Sequence, residues 1–147
     1  MWGFLIAMIS GALMSIQGVF NTAVTKSTSI WVSAGFVQLT AFATCAVMWF
    51  CSGRPSITGL LKVPNKYALL GGVIGAFITY TVIKSMESLG TASAVLTIVI
   101  TQTAVAYLIE LFGIFGSEKA DFSWMKLIGL VIALVGMVMF NMSRQKA

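Results

Sequence analysis

Histidine is absent from this chain, and cysteine and acidic residues are scarce, with 2 cysteines and 4 Asp or Glu among 147 residues. Cys45 and Cys51 fall in one predicted helix, about 9 Å apart along its axis at about 1.5 Å per residue, which is too far for a disulfide. We therefore interpret both as packing residues. Because histidine and Cys-x-x-Cys are missing, the composition excludes an enzyme built on zinc or imidazole and predicts neither a metal site nor a cofactor.

Charge is also scarce, while apolar residues dominate. Charged residues make up 9% of the chain and hydrophobic residues 59%, and the mean hydropathy is +0.98. Soluble domains are about 25% charged, and no water-soluble fold buries this much apolar surface. Since a membrane-spanning helix needs about 20 apolar residues, five crossings would use nearly the whole length. We expect an all-α integral membrane protein, with residues 1–147 forming a single transmembrane domain.

The hydrophobic stretches predict five transmembrane helices, because backbone groups inside a bilayer must bond internally. The predicted helices cover about residues 2–22, 30–51, 67–85, 92–115 and 124–141. Glycine, proline, serine and charged residues concentrate in the connections. The opening stretch lacks a basic region and a small-x-small cleavage site, so we expect a first spanning helix rather than a cleaved signal peptide.

The basic residues are scattered singly at the ends of the predicted helices. Of the nine, five lie on the side of the N-terminus and four on the other side. The first group is Arg54, Lys62, Lys66, Lys119 and Lys126, and the second is Lys26, Lys84, Arg144 and Lys146. This pattern is typical of topology determinants and does not predict a nucleic-acid partner, in spite of the net charge of +5.

A balance of five against four hardly specifies an orientation, because orientation normally follows an excess of Lys and Arg in cytoplasmic loops. One interpretation is that Lys26 or the first loop decides orientation alone, or that an error in a helix boundary hides the bias. The other is dual topology. If both orientations insert, two copies can pair antiparallel and form a ten-helix bundle with inverted-repeat symmetry.

Polar residues in the fourth helix are the first candidates for function. Glu110 is the one acidic residue well inside a predicted helix, where a charge costs a few kcal/mol unless it faces a cavity or a partner. Spacing of three to four residues puts Thr103, Tyr107 and Glu110 on one side, with Gln102 beside them. The alternative interpretation is interfacial, because Glu110 lies about 8 Å from the predicted helix end at about 1.5 Å per residue.

Further polar residues fall at two depths. Thr101, Gln102 and Gln38 lie near the predicted middle of the membrane, where solute and ion sites tend to lie. The alternative is that they only hydrogen-bond between helices, which contributes about 0.6 kcal/mol on average. Gln17 and Asn21 share a face near the rim opposite the N-terminus.

Glu110 lies near the membrane surface on the side of the N-terminus, whereas Gln17 and Asn21 lie near the opposite surface. Within one subunit these residues therefore cannot meet. In an inverted partner these residues fall at the same depth. We therefore hypothesise that Glu110 of one subunit faces Gln17, Asn21 or Tyr80 of the other across a shared cavity.

Four glycines are interpreted as packing residues. Gly71 and Gly75 are four residues apart and allow a neighbouring helix to approach closely. Gly129 and Gly136, seven apart, repeat a small surface along the last helix, which we expect to be a subunit contact.

The order and spacing of these motifs resemble the YdcZ family of half-size, five-helix members of the drug/metabolite transporter superfamily, and the match covers most of the chain. The residues that carry it are Gln17, Asn21, Phe36, Gly71, Gly72, Gly75, Gly90, Thr91, Gln102, Glu110, Phe112, Gly113, Gly129 and Gly136. The chain departs from the family pattern at Leu39, where glycine is common, and at Glu110-Leu111, where Asp-His is common.

The resemblance implies a small-solute transporter of the inner membrane, assembled as an antiparallel pair of identical or sister subunits. The leading hypothesis is a coupled secondary transporter or exporter that works by alternating access, in which Glu110 exchanges a proton or binds a solute. The lone carboxylate favours a cationic solute; membrane lipid is the other expected partner. The alternatives are a passive channel and a lipid-linked flippase or accessory subunit. An enzyme is not expected, because one carboxylate without a histidine or second acid offers little chemistry.

Overall fold

The computed structural model describes residues 2–144, with the backbone alone for residues 143 and 144, and this part of the chain contains helices and no strands. The five α-helices are α1 (Trp2–Ser27), α2 (Ile30–Cys51), α3 (Gly71–Leu89), α4 (Thr91–Phe112) and α5 (Trp124–Arg144). All five are long and apolar enough to cross a membrane. The predicted all-α class with five spanning helices is therefore confirmed, and Lys146 of the charge count lies outside the described residues.

The helix ends differ from the predicted ends for local backbone reasons. α1 continues to Ser27 instead of stopping at residue 22, and inside the added turn and just before it the hydroxyls of Thr25 and Thr22 donate to carbonyls four residues back. α3 is preceded by a 3-10 turn over Lys66–Leu70 and continues to Leu89. α4 ends at Phe112 rather than at residue 115, because Gly113 adopts a left-handed conformation with φ +63°.

The chain divides between Ser88 and Leu89 into two compact units. The first contains α1, α2 and α3. Here α1 and α2 form an antiparallel hairpin, in which the Ser33 hydroxyl donates to the Asn21 carbonyl at 2.8 Å and Ser29 caps the start of α2. This interhelical bond is buried, so it holds the two helices in register.

In the first unit α3 contacts both helices of the hairpin through a few side chains. Trp31 of α2 stacks on Tyr80, with ring centroids 4.8 Å apart, and meets Phe77 edge-on. A Cβ added to Gly75 would lie 3.3 Å from Gln38 Nε2. α2 therefore packs on α3 at an aromatic contact and at a glycine.

The second unit is an antiparallel pair of α4 and α5. The connection between them is tied back to α4, because the Ala120 N–H donates to the Glu110 carbonyl at 2.9 Å. The Tyr107 hydroxyl accepts the Ser123 N–H at 3.0 Å, just before α5 begins. These bonds set the height at which the last turn of α4 faces the first turn of α5.

Large apolar side chains cover most of the surface. Between 0% and 11% of the residues in the most apolar window of each helix are buried. Such a surface needs hydrocarbon or further protein around it, because water would disfavour it by about 25 cal/mol per Å². The exposed apolar helices therefore fit a bilayer and leave surface for contacts with another chain.

Candidate functional site

Two clefts lie between neighbouring helices, one in each unit. The first, which we name the α4–α5 cleft, has a volume of about 440 Å³. Its lining residues are Val99, Ile100, Thr103, Ala106, Tyr107, Glu110, Lys126, Gly129, Leu130 and Ala133. Thr103, Tyr107 and Glu110, which the helical spacing placed on one side of α4, thus line one cavity.

An ion pair occupies one end of this cleft. Lys126 Nζ lies 3.4 Å from Glu110 Oε2, and the two side chains are 54% and 50% exposed. The same Nζ is 5.5 Å from the centre of the Tyr107 ring. An exposed pair of this kind stabilises the fold by about 0–1 kcal/mol, so both charges remain available to other partners.

The local backbone explains how Glu110 is held beside Lys126. Gly113 turns the chain out of α4, and the Gly113 and Ala120 N–H groups both donate to the Glu110 carbonyl. Lys126 lies in the first turn of α5. Sequence reasoning treated Lys126 only as a topology charge and missed this pair. The available signal was the short connection, which forces the last turn of the fourth helix beside the first turn of the fifth.

The depth of Glu110 differs from the sequence expectation. It lies two residues before the end of α4 at Phe112, about 3 Å along the axis at about 1.5 Å per residue, instead of about 8 Å. The carboxylate is therefore at the rim of the span, where water and lipid headgroups reach a charge more easily than at the membrane centre. Its role in transport stays a prediction.

The remaining polar candidates of α4 lie outside this cleft. Gln102 and Thr101 are exposed, and the Thr101 hydroxyl donates to the Thr97 carbonyl of its own helix at 2.9 Å. Gln102 therefore does not join Thr103 and Tyr107, although it neighbours them in sequence.

The second cavity, the α1–α2 cleft, has a volume of about 820 Å³ and carries no charged side chain in its lining. It brings Gln17 and Asn21 together, as their spacing predicted, beside Met14, Phe36 and other residues of the hairpin. Asn21 is 9% exposed, and among the described residues its side-chain amide has no hydrogen-bond partner. This cleft offers uncharged donors and acceptors.

Gln38 and Tyr80 do not line either cleft. They pack between α2 and α3, Gln38 against Gly75 and Tyr80 against Trp31. Both therefore make packing contacts between α2 and α3 within the first unit.

The four glycines differ in their surroundings. A Cβ on Gly75 would meet Gln38, whereas in the described part of the chain a Cβ on Gly71, Gly129 or Gly136 would meet nothing within 4 Å. Gly129 also lines the α4–α5 cleft. The predicted subunit contact through Gly129 and Gly136 stays a prediction. In a single chain there is space for a side chain at both glycines.

Five apolar helices with clefts between them that carry a few polar side chains define a multi-pass α-helical membrane protein. A family model described as "Putative inner membrane exporter, YdcZ" matches residues 2–139. The chain therefore belongs to the YdcZ family, which confirms the resemblance seen in its motifs, and it is a multi-pass protein of the inner membrane. Membership of an exporter family supports a transporter rather than an enzyme. Among curated proteins and among solved structures no significant match was found.

Proposed function

We propose that this chain is one half of a coupled exporter, in which two inverted copies work by alternating access and the α4–α5 cleft forms part of the solute pathway. The observation that carries the proposal is the Glu110–Lys126 pair facing a cavity with apolar walls. Cavities with apolar walls and a few charged or polar groups are typical of sites that bind small molecules.

The coupling follows from competition for one carboxylate. Glu110 accepts a hydrogen bond from Lys126, and a proton or the positive group of a solute would replace that partner. Because one carboxylate serves Lys126, a proton and the solute in turn, their binding is linked, which is the requirement of a coupled carrier.

The exposed surfaces and the charge balance support an inverted pair. Both clefts are at the surface of a single chain, and five basic residues on one side of the membrane oppose four on the other. Glu110 lies two residues before the end of α4 and Asn21 six residues before the end of α1, so the two side chains would differ in depth in an inverted pair. The α4–α5 cleft of one copy would still lie in the same half of the membrane as the α1–α2 cleft of the other, so two copies would complete the pathway. The pair is either two copies of this chain or this chain with a sister subunit.

Proteoliposomes that enclose a pH-sensitive dye test the coupling. A panel of amines, amino acids and sugars is added outside, and solute uptake is followed together with internal pH. We expect proton movement in a fixed ratio to solute, and Glu110→Gln should lower the flux about tenfold, the equivalent of about 1.4 kcal/mol. The matched control is Glu87→Gln, because Glu87 forms a similar pair with Lys84 at 3.3 Å outside both clefts. Flux that Glu110→Gln leaves unchanged would remove Glu110 from the mechanism.

The uncharged lining of the α1–α2 cleft favours a second candidate function, a passive channel. Gln17, Asn21 and Thr40 could line a pathway without any charge that binds a proton. This function predicts solute flux without proton movement in the same assay.

A further inference from the structure

The α4–α5 cleft presents two opposite charges and little other free polarity. The Tyr107 hydroxyl is engaged by Ser123, and the Thr103 hydroxyl donates to the Val99 carbonyl of its own helix at 2.8 Å. The other lining residues are apolar or glycine. Hydrogen-bonding capacity therefore remains chiefly on Glu110, which has four acceptor sites, and on Lys126, which has three donors.

A solute with a single charge fits this arrangement poorly. A cation that binds Glu110 displaces Lys126 and leaves its ammonium beside the new positive charge. An anion that binds Lys126 likewise leaves the Glu110 carboxylate beside the new negative charge. A solute with both charges avoids this cost, because its ammonium takes Glu110 and its carboxylate takes Lys126. Four charges then alternate in sign, and none loses a partner.

The dimensions of the cleft limit the rest of the solute. The gap between Lys126 Nζ and Glu110 Oε2 is 3.4 Å, so the two charged groups of the solute must be a few bonds apart. Beyond the pair, the walls are Val99, Ile100, Ala106, Leu130 and Ala133 in a volume of about 440 Å³. Such walls favour an aliphatic body, since each buried CH₂ contributes about 0.8 kcal/mol.

We propose that the solute class of the α4–α5 cleft is a small zwitterion with an apolar body, whose ammonium binds Glu110 and whose carboxylate binds Lys126. The role of this site in transport rests on the proposed function, whereas its binding preference does not.

Three probes with the same aliphatic body test the preference. Leucine is a zwitterion, leucinamide a cation and N-acetyl-leucine an anion, and their binding to the purified full chain in nanodiscs is measured by calorimetry. We expect leucine to bind about tenfold more tightly than either of the others, because only leucine satisfies both charges. Lys126→Met should weaken leucine and make leucinamide the preferred probe, and Glu110→Gln should make N-acetyl-leucine the preferred probe.

A charge exchange keeps the test independent of folding defects in the single variants. Glu110→Lys combined with Lys126→Glu retains an ion pair in the cleft and should retain the preference for leucine. The matched control is Lys84→Met, which breaks the Lys84–Glu87 pair and should leave the order of the three probes unchanged.

The proposal is overturned if leucinamide or N-acetyl-leucine binds the wild-type chain as tightly as leucine, if none of the three binds, or if Lys126→Met leaves the order unchanged. Flux in proteoliposomes separates this result from the proposed function. The expected order of binding without any leucine flux would contradict transport and support the zwitterion site. Glu110-dependent flux of another solute, without the expected order of binding, would support transport and contradict the zwitterion site.

Discussion

At the scale of single residues, α1 and α3 come close together at Gly18. A Cβ added there would clash with the Met86 Cε and lie 2.9 Å from its Sδ, and the Thr22 hydroxyl contacts the same sulfur at 3.7 Å. Met86 is buried. The end of a methionine side chain is flexible and adapts to small changes, so the size of the added group decides the cost.

We predict that Gly18→Ala is tolerated, because the Met86 methyl can move, and that Gly18→Leu destabilises the chain by about 1–3 kcal/mol through overpacking. Met86→Ala should recover much of that loss in the double variant, because it removes the clashing atoms. The measurement is the free energy of unfolding in mixed micelles. Gly11→Leu is the control, since a Cβ at Gly11 meets nothing within 4 Å. Equal losses at Gly11 and Gly18 would contradict this account.

At the scale of elements, the end of α4 decides the geometry of the candidate site. Gly113 has φ +63° and its N–H donates to carbonyls of the last turn, and the Ala120 N–H adds a second bond to the Glu110 carbonyl. A residue with a Cβ adopts this left-handed conformation at a cost of about 1–2 kcal/mol. The glycine therefore stops the helix just beyond Glu110 and keeps the carboxylate opposite Lys126.

Gly113→Ala should lower the free energy of unfolding of the α4–α5 pair by about 1–2 kcal/mol. Gly72→Ala is the matched control, because Gly72 lies inside α3 without a positive φ and with open space around it. That substitution should be neutral or stabilise the chain by up to about 1 kcal/mol through helix propensity. Chemical denaturation in micelles checks both, and a neutral Gly113→Ala would show that α4 does not depend on this cap.

At the scale of the whole molecule, orientation depends on few charges. Lys62 and Lys66 lie in the 3-10 turns between α2 and α3, and Lys26 lies in the last turn of α1. The five-to-four balance is small. Removing two lysines from the side with five reverses the excess, and removing two from the side with four enlarges it.

We predict that a reporter fused to the C-terminus is detected on both sides of the membrane. Lys62→Gln with Lys66→Gln, and Lys26→Gln with Lys84→Gln, should bias it in opposite directions, because the side with more lysine and arginine stays cytoplasmic. The readout is a pair of reporters active on opposite sides. Signal from one side only in the wild-type chain would refute dual topology.

The open surface of α5 gives a second test of pairing. A Cβ at Gly136 meets nothing within 4 Å in one copy, so Gly136→Leu should leave the unfolding of a single chain unchanged and weaken pairing several-fold if this surface is the subunit contact. Val138→Leu is the control, because it lies on the opposite side of α5. Crosslinking in liposomes measures pairing, and equal yields from both variants would remove Gly136 from the interface.

Much of the architecture follows from local sequence. Five spanning helices and the shared face of Gln17 and Asn21 were predictable, because hydropathy and helical periodicity act over neighbouring residues. The inner membrane was implied by the family resemblance. The ends of α1 and α4 were not predicted correctly, and for α4 the reason is the left-handed conformation of Gly113.

The candidate site itself required the tertiary structure. By sequence alone, Gln38, Tyr80 and Gln102 were candidates after Glu110, yet packing places Gln38 and Tyr80 between helices and leaves Gln102 outside the α4–α5 cleft. Lys126 was a topology charge until the connection after α4 brought it within 3.4 Å of Glu110. Hydropathy determined which residues lie in the membrane, whereas contacts between residues distant in sequence decided which charges share a cavity, because a local pattern carries no information on how one helix is placed against another.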